Sequence, residues 1–340
     1  MANEKILKSN QASPVDPPSF AKSIITEPAQ SNPGPHVTQL GPLSHLFGTW
    51  TNQNLGSSGN GGTATPFSYN IMPLPSYSAA SKYILKNFKY YEEITFSPIN
   101  GAAPNRGGDY TQTANVIFYE QRIYFATGPD KDKLVHAENG SWLFLVTGPQ
   151  AQEPYGSTPT VPHPGAIPVQ SPLTNIAKQI SVPHGNSILA QGGIRGYPNN
   201  PVINGPVKIP PYNQAILPDN GVDLTPYSTK DVGNPFPDLN KNPTQPLQDG
   251  AAANPCKQYI QWHVDTENKN AKGSVTNIPF EKQKANVIDY NATYWLQAIT
   301  EGGPFTQLAY AQTILMDIPI EGKGIVKFPH ITCNTLTKKF

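Results

Sequence analysis

The residues best able to do chemistry in this chain are histidines and carboxylates set into runs of alternating polarity. In Leu134-Val135-His136-Ala137-Glu138-Asn139-Gly140-Ser141-Trp142, His136 and Glu138 stand two residues apart, so on a strand they share a face. Turned inward, a carboxylate beside an imidazole orients the ring and raises its basicity, as a general base or a supported ligand requires. Turned outward, the same two residues are a solvated pair, the usual situation for Glu. A second histidine stands in Val182-Pro183-His184-Gly185-Asn186-Ser187. Pro183 restricts the backbone and Gly185 frees it, so a local distortion aims the His184 ring. A turn histidine bonded to backbone is the competing reading, because bulges are often purely structural.

Two further groups carry potential. In Phe88-Lys89-Tyr90-Tyr91-Glu92-Glu93-Ile94-Thr95-Phe96, Glu92 falls on the face of Phe88, Tyr90, Ile94 and Phe96, where desolvation raises its pKa unless Arg106 or Arg122 neutralises it. A buried ion pair is one account, and an acid kept for proton transfer is the other. The last group is Phe328-Pro329-His330-Ile331-Thr332-Cys333-Asn334-Thr335-Leu336-Thr337-Lys338, which places His330 in the final strand. The sequence has no Ser-His-Asp order, nucleotide loop or metal-type His/Cys spacing. Catalysis, if present, comes from a polar cluster inside a cavity rather than from a motif at fixed spacing.

The elements that must position these residues read as strands. Gly41-Pro42-Leu43-Ser44-His45-Leu46-Phe47-Gly48-Thr49-Trp50 predicts a short helical turn, with Pro42 at its start, closed by Gly48 and feeding a first strand. Period-two segments follow at 83–96 and 114–125, where Ile117, Tyr119, Gln121 and Ile123 form the inward face, and at 134–146. A strand unit over 176–190 is interrupted by Pro183, and strands resume at 257–264, 287–299, 306–318 and 327–338. The predicted fold is all-β, an antiparallel up-and-down barrel of about nine or ten strands, which removes exposed sheet edges. Residues 1–40 form a Pro-rich arm, and 41–340 form one barrel domain with Pro/Gly-rich insertions at about 148–172 and 192–255. Barrels of this size hold packed side chains or one ligand, so inward polar residues are the informative ones. Tyr119, Gln121, Glu92, Asn186, Trp142, Tyr310 and Gln312 are the expected ligand-lining set, with His136, Glu138 and His184 catalytic if the barrel is an enzyme.

Composition narrows the partners. Charged residues make up 14% and the formal net charge is +1, so no field recruits nucleic acid or an anionic membrane. The first ten residues lack the apolar run of a secretory signal, and no segment reaches the ~18 apolar residues of a spanning helix, so the expected location is cytoplasmic. Two cysteines, Cys256 and Cys333, are too few for a disulfide framework and read as ordinary thiols.

The Gly-Thr-Trp entry at Gly48 to Trp50 resembles the opening of the calycin barrels, meaning lipocalins, fatty-acid-binding proteins and nitrobindins. The resemblance implies that Trp50 packs across the barrel floor. Nitrobindin-type barrels also finish on a strand carrying a histidine shortly before a Leu and a basic residue, which implies haem as a possible cofactor and His330 as its axial ligand. Thr51-Asn52-Gln53-Asn54-Leu55 departs from the family's glycine-patterned first strand, and the likeness extends over residues 43–190 and 256–338 only. The expected function is binding of a small hydrophobic molecule or haem inside the barrel. The alternatives are a cavity enzyme of isomerase, cyclase or dehydratase type, and an interaction protein using the Pro-rich insertions.

Overall fold

The computed structural model describes residues 40–53, 68–75, 83–86, 90–104, 110–149, 175–197, 199–211, 242–266, 273–320 and 324–340. The Pro-rich arm, Arg106, nearly all of the 148–172 insertion and residues 212–241 of the second fall outside these residues. Ten strands close into an antiparallel barrel. In order around the wall they are β1 (Gly48–Thr51), β4 (Tyr90–Pro104), β5 (Tyr110–Phe125), β6 (Leu134–Pro149), β7 (Ile176–Val182), β8 (Asn186–Ile194), β10 (Gln258–Asp265), β12 (Asn286–Ala298), β13 (Gln307–Ile320) and β14 (Gly324–Lys338). β14 returns to β1 through Trp50 opposite Lys338, so the wall has no free edge there. β2 (Tyr69–Pro75) continues the wall beside β14 and carries β3 (Tyr83–Lys86), while β9 (Val202–Asn204) pairs with β10 and β11 (Ser274–Asn277) with β8.

Alternation decides which side chains fill the barrel. Cross-strand partners share a face. Ile94 lies opposite Gln121, Gln121 opposite Glu138, Ile117 opposite Trp142, and Trp142 opposite Lys178. The run Ile117, Tyr119, Gln121 and Ile123 is buried, whereas Phe118 and Arg122 between them are exposed. Continuing the register around the wall adds Trp262, Tyr290, Tyr294, Tyr310, Gln312 and Asn334 to the same inner face.

One end is plugged. A 3-10 helix at Gly41–Leu46, with proline in its first turn, buries Leu43 and Leu46. The Trp50 indole donates to the Leu46 carbonyl at 2.6 Å, fastening plug to wall, and Trp50 is fully buried. Gly41 has φ +53°, and a Cβ there would stand 2.6 Å from the Phe144 ring, so only glycine fits.

Three connections differ from expectation. Pro183 does not kink a continuous strand, because Pro183-His184-Gly185 forms the tight turn of the β7–β8 hairpin, with Gly185 at φ +110°. The segment between the strands expected at 83–96 and 114–125 is itself strand as far as Pro104, and a register shift between Pro98 and Ala102 absorbs the proline. Parts of the 192–255 stretch fold onto the barrel: β8 runs to Ile194, β9 pairs with β10, and helix α1 (Gln245–Ala253) buries Leu247. A second short helix, α2 (Pro279–Lys284), leads into β12. No helix among the described residues is long and apolar enough to cross a membrane.

Candidate functional site

The barrel interior carries two polar clusters, each centred on one carboxylate. The first is Glu138 with Lys178. Glu138 Oε1 accepts from the Tyr119 hydroxyl at 3.0 Å and lies 3.8 Å from Lys178 Nζ, while its Oε2 lies 3.7 Å from His136 Nε2. Lys178 donates to the hydroxyls of Tyr290 at 3.1 Å and Tyr294 at 2.9 Å. Its ammonium also lies 5.1 and 5.6 Å from the ring centroids of Tyr119 and Trp142, so two hydroxyls and two aromatic rings replace water around the charge. Burial by itself raises the Glu138 pKa, but the Lys178 charge and then His136 outweigh it and hold the carboxyl at about 2. This carboxylate is therefore ionised.

The second cluster has no cation among the described residues. Glu92 is fully buried, and its carboxylate accepts from the Tyr310 hydroxyl at 2.7 and 2.9 Å and from Gln121 Nε2 at 3.4 Å. Its backbone N–H donates to Asn52 Oδ1 at 2.8 Å, and Asn52 reaches Asn334 at 3.3 Å, so Asn52 takes over where β1 ends. Burial pushes the Glu92 carboxyl up to about 7, opposed by the Tyr310 hydrogen bond and reinforced by the charge on Glu138. Gln121 stands between the clusters, bonded to Glu92 and paired in register with Glu138. Of the two arginines that could neutralise Glu92, Arg106 lies outside the described residues, and Arg122 points outward and pairs with Glu120, because it has the opposite strand parity from Gln121.

Side chains bridge the lumen at mid-height. Across non-adjacent strands, Trp142 meets Tyr294 edge to face at 5.0 Å and Trp262 at 6.0 Å, and Gln121 reaches the Tyr310 hydroxyl at 3.5 Å, while Trp262 stacks on its strand neighbour Tyr294 at 5.4 Å. Tyr290 donates to Gln312 Oε1 at 3.4 Å. At the end opposite the plug, the inward-facing His136, Val182, Ile314 and His330 are only half-buried.

Of the residues singled out from sequence, Glu92, Tyr119, Gln121, Glu138, Trp142, Tyr310 and Gln312 meet in this one interior. His136 sits at its half-buried end. Asn186 is also buried on the inner face, but its amide is committed to Asn277 at 2.6 Å. His184 is not inside: it is exposed on the β7–β8 turn, its ring 5.8 Å from that of His136, because the turn lifts it above the wall. His330 is on the inner face, opposite Ile314. A haem buried beneath His330 does not fit the residues present, since the lumen below is crossed by the aromatic and hydrogen-bonded contacts above. Among the described residues no group of three or more potential metal ligands occurs. Cys256 and Cys333 are free and buried.

Sequence reasoning missed Lys178, Tyr290, Tyr294, Asn52 and Asn334. Lys178 could have been found from phase alone, since it has the parity of Ile176 and Ile180, both of which face inward.

No protein-family model matches the chain, and neither a curated protein nor a solved structure is similar to it. The closed ten-strand barrel is compatible with a calycin-like architecture.

Proposed function

We propose that the chain is a cavity enzyme that moves a proton on a small, largely apolar molecule entering at the His136 end of the barrel. One observation carries this reading: two buried carboxyls share a lumen, one facing a lysine and the other facing, among the described residues, only neutral donors. Such a difference in environment separates a group that stays charged from one that exchanges a proton near neutrality. Glu92 is the proton-exchanging group, and Glu138, fixed by Lys178 and Tyr119, supports His136 at the entrance. The Tyr and Trp rings supply the apolar walls that a small ligand needs.

A simple carrier of apolar ligands has less support. Burying Lys178, Glu138 and Glu92 costs stability, and a purely apolar ligand recovers none of it. The interaction-protein reading rests on insertions that fall mostly outside the described residues.

Native mass spectrometry of the purified protein for a bound small molecule, followed by chromatography of its conversion, tests the reading. The expected result is a co-purifying molecule whose turnover falls by about two orders of magnitude in Glu92→Gln and in His136→Ala, with His136→Ala melting as wild type does. A ligand that is bound and never converted would leave a carrier. No ligand, with variants that alter only stability, would leave a packed barrel.

A further inference from the structure

One side chain on the inner wall has no partner at all. Asn70, in β2, is 1% exposed, and neither its amide nitrogen nor its amide oxygen makes a hydrogen bond. Its direction follows from register. Asn70 lies opposite Thr332, Thr332 lies opposite Gln312, and Gln312 accepts from Tyr290 within the lumen. Asn70 therefore presents its amide to the interior. Two residues along the same face of β14, Asn334 lies opposite Tyr310, whose hydroxyl binds Glu92. The orphan amide is thus on the wall that carries the Glu92 cluster.

A buried amide left unpaired loses its hydration with nothing in return, and such groups are rare. Packing does not demand one here: the sequence parity of Asn70 is shared by Met72 and Leu74, so an apolar residue would continue the pattern. An amide offers two donors beside one acceptor. Its complement is a group that accepts and donates side by side, which a carboxamide or a protonated carboxyl does and a ketone, ether or hydrocarbon does not.

We propose that Asn70 anchors the carboxamide or protonated carboxyl group of the lumen's ligand, holding it on the wall beside Glu92. The proposal rests on the reading above that a small molecule enters the barrel, and it names the chemical class of that molecule. Asn70 acts here by binding and orienting, with no bond made or broken.

Benzamide, benzoic acid and toluene serve as probes of one shape and graded polarity, read by saturation-transfer NMR and by the Asn70 side-chain amide resonances. Benzamide should bind about tenfold or more tighter than toluene and shift those resonances. Benzoic acid should match benzamide only at a pH where it is protonated, which separates the two ligand groups. In Asn70→Leu the preference for benzamide over toluene should collapse to within about twofold. Benzamide binding no tighter than toluene, an unmoved Asn70 amide in the wild-type protein, or a preference that survives Asn70→Leu would each overturn the assignment. A benzamide-soaked crystal with only water on Asn70 would do the same. Equal binding of all three probes refutes the anchor and leaves ligand entry standing, whereas failure of the entry reading itself is seen in the mass-spectrometric experiment.

Discussion

Glu138 and Glu92 occupy one barrel, are equally hidden from water, and behave in opposite ways. Glu138 has a cation at 3.8 Å and is held at about 2, while Glu92 has, among the described residues, hydroxyl and amide donors only and is pushed up to about 7. Burial acts on both in the same direction, so the difference comes from Lys178 first and His136 second. A hydrogen bond from a neutral donor offsets only part of the cost of burying a carboxylate, and a full charge nearby reverses it. Depth alone does not set the chemistry of a lumen.

Removing the cation should break the contrast most severely. Lys178→Met leaves Glu138 buried without its ion partner, and chemical denaturation should show a loss of about 3–5 kcal/mol, partly restored in the Lys178→Met, Glu138→Gln double variant. Equal stability of the two variants would show that Lys178 does not hold Glu138.

The next largest effect lies in the pH dependence of stability. Glu92 goes from an ordinary 4.5 to about 7 on folding, so its contribution is fully present below 4.5 and is lost as pH rises through 7. Glu138 goes from 4.5 to about 2, so its contribution is present above 4.5 and is lost as pH falls toward 2. Together they place the maximum of stability close to the ordinary carboxyl range, with limbs on the order of 3 kcal/mol each. Glu92→Gln should flatten the upper limb and melt above wild type at pH ~8, while leaving the acid limb in place. An unchanged upper limb would remove Glu92 from the account.

Smaller changes sharpen the comparison. Tyr310→Phe deletes the shortest donor to Glu92, so it should cost about 1–2 kcal/mol and move the Glu92 titration further upward, without touching Glu138. His184→Ala should stay within about 0.5 kcal/mol of wild type and leave both carboxyls unmoved, since His184 is exposed and reaches the site only by its ring contact with His136. A shift of Glu138 in that variant would bring the turn into the site.

Much of the wall was legible from period-two alternation, and the reason is local. Ile117, Tyr119, Gln121 and Ile123 alternate with outward residues, and pleating alone decides their side. Lys178 was not legible as a site residue because a single lysine in a strand is ordinarily at the surface; the aromatic box that holds it comes from β5, β6 and β12, which only tertiary folding assembles. Pro183 gave the place of an irregularity but not its kind, since whether the chain bends or reverses depends on Gly185 adopting positive φ. The inward direction of Glu92 was legible, and its partner was not, because Tyr310 is distant in sequence and Arg122 near.

The central claim is that one lumen holds an ionised carboxylate and a carboxyl that titrates near neutrality. Carbon-13 NMR of labelled glutamate side chains, assigned with Glu92→Gln and Glu138→Gln, reads it directly. The account predicts a Glu92 midpoint at about 7 and a Glu138 midpoint at about 2. Two midpoints together in the ordinary carboxyl range near 4.5 would contradict it.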